Sequence, residues 1–151
     1  KETIYRKLVQ ERGVQILPGA RELIEALRSE KIPRAIGSST PRQNLDAIFS
    51  ATGLGEFFDA VACGDDVANG KPAPDVFLLA AQMLALAPAD CLVIEDAHAG
   101  IEAAHRAGIP VLAVATTNSL SELGAATGAL ESLAGVTPTM LREIHSRAAE
   151  G

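Results

Sequence analysis

A chain of 151 residues, 48% hydrophobic but only 3% aromatic, has the length of one domain that hides about two-thirds of its unfolded surface in a core of Ala, Leu, Ile and Val. The formal net charge of −6, with no block of Lys or Arg, excludes the electrostatic footprint of a nucleic-acid or anionic-membrane binder and favours a small diffusible partner. No apolar stretch approaches the roughly 20 residues of a membrane span, and Lys1-Glu2-Thr3 begins no signal-peptide core, so the expected location is the cytoplasm.

Residues 1–13 are charged and helix-favouring and are stopped by Gly13, which reads as one helix entering a domain. Pro18-Gly19 then opens a helix whose Ala20, Leu23, Ile24 and Leu27 form an apolar stripe. From there a unit repeats: a short apolar run, a polar turn, an amphipathic helix. The strand-length runs are Arg34 to Ser38, Ala60 to Cys63, Cys91 to Glu95 and Val111 to Ala115. The helices between them carry Leu45, Ile48, Phe49 and Thr52, then Val76, Leu79, Ala80 and Met83, then Ala97, Ile101 and Ala104 before Gly108. A last helix starts at Thr137-Pro138 and presents Met140, Leu141 and Ile144. This alternation predicts an α/β fold, a three-layer Rossmann-like parallel sheet with helices on both faces. Cys63 and Cys91 lie in apolar runs far apart, which predicts buried thiols and neither redox nor zinc chemistry.

In such sheets ligands gather at the carboxyl ends of the strands. The polar groups expected there are Ser38-Ser39-Thr40, Gly64-Asp65-Asp66 leading to Gly70-Lys71-Pro72, Glu95-Asp96 and Thr116-Thr117-Asn118. Ser38 to Thr40 precede Pro41 at a helix start, where hydroxyls and unpaired N–H groups suit a phosphate oxygen; ordinary N-capping explains the same residues. Lys71 stands between Gly70 and Pro72, which restrict its backbone, although a loop lysine is commonly a solvated charge. Glu95 and Asp96 end an apolar strand, and two carboxylates there suit Mg²⁺; an N-cap role for Asp96 is the alternative. The sequence contains no G-x-G-x-x-G, no G-x-x-x-x-G-K-[ST] and no G-x-S-x-G, which closes the dinucleotide, P-loop and nucleophile-elbow routes. His98, His105 and His145 show no His-x-x-x-His spacing and read as structural or surface residues.

Ser38, the run Gly70-Lys71-Pro72-Ala73-Pro74-Asp75 and the run Ile94 to Ala104 resemble, in this order, the second, third and fourth motifs of haloacid dehalogenase-like phosphatases. The likeness is greatest to the group of β-phosphoglucomutases and phosphoglycolate phosphatases, and it extends from about Ile4 to about Ala115. The resemblance implies that residues 1–13 are the last helix of a helical cap and that 14–151 form an incomplete catalytic core. It implies a Mg²⁺-dependent phosphatase or phosphomutase for small phosphorylated metabolites. Ser38 and Lys71 would be catalytic, Ser38, Ser39, Thr40, Arg42 and Lys71 would meet phosphate or substrate, and Asp96 with Glu95 beside it would hold the metal. Asp66 would shape its loop. The family's nucleophile is the first Asp of Asp-x-Asp-Gly-[TV] on a central strand, and no such run occurs in these 151 residues. The expectation is therefore that the nucleophile strand and most of the cap lie outside this chain, that the chain alone is inactive, and that sheet edges exposed next to the vacant strand position offer a route to self-association. A catalytically silent binding or assembly module is the competing reading. A phosphoacceptor signalling domain requires its acceptor Asp before the lysine loop, and the order here is the reverse.

Overall fold

The computed structural model of the chain describes residues 18–115 and 126–150. The cap helix expected at 1–13 and the Thr116-Thr117-Asn118 turn lie outside the described residues. Gly19 starts α1, Ala20–Ser29, from a left-handed backbone with φ 83°. A β-carbon there would sit 2.3 Å from the Leu133 carbonyl oxygen, so only glycine fits.

The remaining elements are β1 (Ala35–Gly37), α2 (Arg42–Thr52), β2 (Ala60–Ala62), α3 (Asp75–Met83), β3 (Val93–Glu95), α4 (His98–Ala107), β4 (Val111–Val114), β5 (Gly128–Leu130) and α5 (Pro138–Glu150). From β1 to β4 strands and helices alternate along the chain as the pattern predicts, and β5 and α5 follow. Short 3₁₀ turns cover Gly55–Phe57, Gly64–Asp66 and Pro88–Asp90. Gly53 and Gly108 close α2 and α4 in left-handed conformations.

All strand pairs are parallel. The four residues of β4 are at most 2% exposed and alternate between two cores. Val111 and Ala113 join α3 and α4 through Val76, Phe77, Ala80, Ile101 and Ala104. Leu112 and Val114 point the other way, to Leu23 of α1, to Leu141 and Ile144 of α5, and to Leu133 and Val136. Helices therefore cover both faces of β4, and the expected three-layer α/β architecture is present. A side chain such as Leu112, at 0% exposure, contributes about 1.5–3 kcal/mol by leaving water.

The sheet is in two pieces, β1-β2 and β3-β4-β5. β1 and β3, each at an edge of its piece, are partly uncovered. Every residue of β1 is half-buried, and Ile94 at the centre of β3 is 37% exposed, against the expectation of a buried strand. Two further details differ from the periodicity. Met83 is 49% exposed at the last turn of α3, while Phe77, outside the predicted stripe, is buried. Its ring fills the space where a β-carbon on Gly37 would stand, 2.7 Å away. Cys63 is buried, but Cys91 precedes β3 and is only half-buried, its thiol donating to the Ala87 carbonyl at 3.5 Å. β5 was not anticipated, since Gly-Ala-Leu lacks the β-branched residues that mark a strand. Among the described residues no helix is long and apolar enough to cross a membrane.

Candidate active site

The polar turn after β1 is tied to its neighbour strand. Ser38 N–H donates to the Ala62 carbonyl at 3.0 Å, which extends the β1–β2 pairing by one bond. Its Oγ accepts the Thr40 N–H at 3.0 Å. That local turn leaves the hydroxyl proton as a donor towards a ligand. Ser39 is exposed and Thr40 half-buried.

Lys71 reaches from its loop to both pieces of the sheet. Its Nζ donates to the Gly37 carbonyl at 3.1 Å, at the end of β1, and to Glu95 Oε2 at 2.9 Å, at the end of β3. It also lies 4.6 Å from the centre of the Phe77 ring, a favourable cation–π distance. The Lys71 and Glu95 side chains are only 15% and 12% exposed, so this is a largely desolvated ion pair. The Lys71–Pro72 peptide is cis, and the loop is closed by Ala73 N–H to the Gly70 carbonyl at 3.0 Å.

Glu95 is held on all sides. Its Oε1 accepts the Asp96 N–H at 3.1 Å, and its carboxylate lies on Gly100 of α4, where a β-carbon would come within 2.0 Å of the Glu95 Cδ. Ser38 follows Gly37 and Asp96 follows Glu95, so the lysine joins the two segments that the sequence marks as phosphate- and metal-binding. Among the described residues no three His, Cys, Asp or Glu side chains cluster as a metal cage. Glu95 and Asp96 nonetheless supply oxygen donors without sulfur or nitrogen, the donor type of Mg²⁺, which keeps several waters and takes one or two carboxylates.

Arg42 faces a different direction. Its guanidinium donates to Asp66 Oδ2 at 2.7 Å and to the Val61 carbonyl at 3.2 Å. Its own N–H donates to Asp65 Oδ2 at 2.9 Å. Asp66 Oδ2 also accepts the Cys63 N–H at 3.0 Å and the Cys63 thiol at 3.2 Å. The two Cys63 bonds and the Arg42 guanidinium hold the Asp66 carboxyl below its ordinary 3.8, and burial pushes the Cys63 thiol up, which keeps it a donor. A carboxylate with a depressed pKa stabilises the fold above its unfolded value, and the stabilisation is lost as pH falls through the folded value. The gap in melting temperature between the wild type and Asp66→Asn is therefore expected to be widest well above pH 3.8 and to close as pH falls through the lowered value of Asp66. Thermal melts from pH 7 to 2.5 check this; a gap that widens in acid would contradict it.

Sequence reasoning singled out the ends of β1, β3 and the lysine loop, and the structure brings them together. It missed Phe77 as the seat of the lysine and Gly100 as the space for Glu95. A glycine two residues into a helix, just after a pair of acids, was the available signal for the second; no local signal marks the first.

A family description, haloacid dehalogenase-like hydrolase, matches residues 1–108. Protein CbbY of Rhodobacter capsulatus is 42% identical over 111 residues, covering 72% of this chain and 49% of that protein. A phosphorylated carbohydrates phosphatase of Thermotoga maritima is 36% identical over 109 residues, with 72% and 48% covered. The crystal structure of a β-phosphoglucomutase from Clostridium difficile superposes with a TM-score of 0.88 at 26% identity, over 99% of this chain and 65% of that one. The chain thus spans about half the length of the curated relatives it matches. The match over 1–108, reinforced by the shared fold, shows that this chain belongs to the haloacid dehalogenase-like hydrolases.

Proposed function

We propose that this chain is the phosphate- and metal-binding half of a Mg²⁺-dependent phosphatase or phosphomutase acting on a small phosphorylated metabolite, of sugar-phosphate or phosphoglycolate type. The observation that carries the reading is the Lys71 ammonium, fixed at once to the ends of β1 and β3. Phosphoryl transfer is catalysed mainly by positioning and by charge stabilisation on the phosphoryl oxygens, and this arrangement supplies a desolvated cation for that purpose. The Ser38 hydroxyl, its acceptor side occupied by Thr40 N–H, donates to a phosphoryl oxygen, with Ser39 and Thr40 at the rim. Asp96 would hold Mg²⁺, which offsets charge on the transferring group. Glu95 keeps Lys71 in place and orients Asp96 through the Asp96 N–H.

The attacking carboxylate belongs, in this reading, to an Asp-x-Asp segment seated between the open edges of β1 and β3, and the reaction passes through an aspartyl-phosphate. The 37% exposed Ile94 and the half-buried β1 support a strand in that place. The names of the relatives favour a phosphorylated carbohydrate as substrate.

The test is hydrolysis of p-nitrophenyl phosphate by the product of the complete reading frame and by this chain alone, each with Mg²⁺ and with EDTA. Mg²⁺-dependent turnover by the longer protein and none by this chain is expected. Silence of the longer protein would sink the hydrolase reading and favour a binding or assembly module.

A further inference from the structure

The Ser38–Thr40 turn contains one hydrogen bond of its own, Thr40 N–H to Ser38 Oγ, and α2 behind it begins at Pro41 with no side-chain cap. An unpaired first-turn N–H would ordinarily be left to water or ligand. Here it is taken by a different segment: Asp65, from the turn after β2, accepts the Arg42 N–H at 2.9 Å, where a carboxylate also meets the positive end of the helix. Asp66 Oδ2 collects three donors, from the Arg42 guanidinium, the Cys63 backbone and the Cys63 thiol. Gly64 completes the contact, its N–H donating to the Thr40 carbonyl at 3.3 Å. Its Cα lies so near the Ser39 carbonyl that a β-carbon would stand 2.5 Å from the oxygen.

We propose that Gly64, Asp65 and Asp66 clamp the Ser38–Thr40 turn in its phosphate-binding shape, and that Arg42 serves the site by gripping Asp66 instead of touching substrate. The inference rests on the phosphate-ester reading of the site. Asp65 and Asp66 stand at the start of α2, where two carboxylates would repel an incoming phosphate. The Arg42 guanidinium offsets one of them and turns towards Val61 in β2, whereas Lys71 reaches Gly37 and Glu95. Phosphate is thereby directed to the Lys71 side of the turn. Arg42 and Asp66 are positioning residues.

A double-mutant cycle separates this from direct contact. Inorganic phosphate is titrated, with Mg²⁺ present, into the product of the complete reading frame, and binding is followed at the Ser39 and Thr40 amide resonances. Arg42→Met and Asp66→Asn are each expected to weaken phosphate about tenfold, and the double variant no more than about tenfold, because both remove one linkage. Arg42→Lys, which keeps a charge for Asp66, should stay within about threefold of wild type. Multiplicative losses, about a hundredfold in the double variant, would show Arg42 acting on phosphate by itself and overturn the clamp; so would single variants that bind like the wild type. Asp66→Asn keeps an oxygen for the Cys63 N–H and removes the charge that makes the ion pair with Arg42, and Arg42→Gln replaces Arg42→Met in the cycle if thermal melts show the latter unfolded. Aryl phosphate hydrolysis by the wild type is measured separately. Phosphate bound at the turn without hydrolysis sinks the hydrolase reading and leaves the clamp to be judged by the cycle; no shift at Ser39 and Thr40 overturns the clamp itself.

Discussion

Lys71→Met is expected to lower kcat/KM for an aryl phosphate by about a thousandfold in the complete protein, and to destabilise the fold by about 2 kcal/mol. The two effects have separate origins. Removing a preorganised charge aimed at a phosphoryl group typically costs a hundred- to a thousandfold in rate, and methionine offers no donor in its place. The stability loss comes from Glu95, whose 12% exposed side chain would be left without its partner. Breaking a fully buried pair costs about 3–5 kcal/mol, and the remaining solvent access reduces that figure. Methionine can still pack on the Phe77 ring, so little of the loss is steric. Glu95→Gln in the Lys71→Met background should recover much of the stability, because no charge is stranded, and none of the activity. Urea unfolding midpoints and initial rates on the single and double variants measure both. A single variant as stable as the wild type would mean that the pair contributes nothing net.

Gly100→Ala is expected to destabilise by about 1–2 kcal/mol and to lower activity at least tenfold, although alanine favours helix by about 1 kcal/mol over glycine. Its sign is decided by Glu95. A new β-carbon would stand 2.0 Å from the Glu95 Cδ, and the carboxylate cannot swing away without releasing Lys71 at 2.9 Å and Asp96 N–H at 3.1 Å. Losing those contacts outweighs the helix gain. In a Glu95→Ala background the obstacle is gone, and Gly100→Ala should become stabilising by up to about 1 kcal/mol. Thermal melts of the four proteins supply the test. A stabilising effect of Gly100→Ala in the wild-type background would show that Glu95 relaxes freely and that its geometry does not matter to the site.

Much of the fold is legible because each element announces itself locally. α1 and α4 present apolar stripes closed or opened by glycines, and β4 is a continuous Val-Leu-Ala-Val run, as expected of a parallel strand covered on both faces. β5 escapes because Gly128, Ala129 and Leu130 carry no strand preference, and their pairing with Leu112, Ala113 and Val114 is a property of the assembled sheet. Met83 and Phe77 exchange their expected burial because Gly37, far away in the chain, leaves room for a ring at one position, while the other stays 49% exposed. Periodicity reports which face a residue occupies. It carries no record of what stands opposite.

The candidate site divides in the same way. Sequence alone determined its residue types and order: hydroxyls after β1, a lysine between glycine and proline, two acids after β3. It also determined that no Asp-x-Asp run accompanies them. The tertiary structure decided their partners. It assigned Lys71 to Gly37 and Glu95, turned Arg42 onto Asp66, and left β1 and β3 each at an edge of a divided sheet. The physical reason is that residue chemistry and helix or strand period are written within a few neighbouring positions. Ion pairs and close approaches between segments 24 to 34 residues apart exist only once the chain has folded around them.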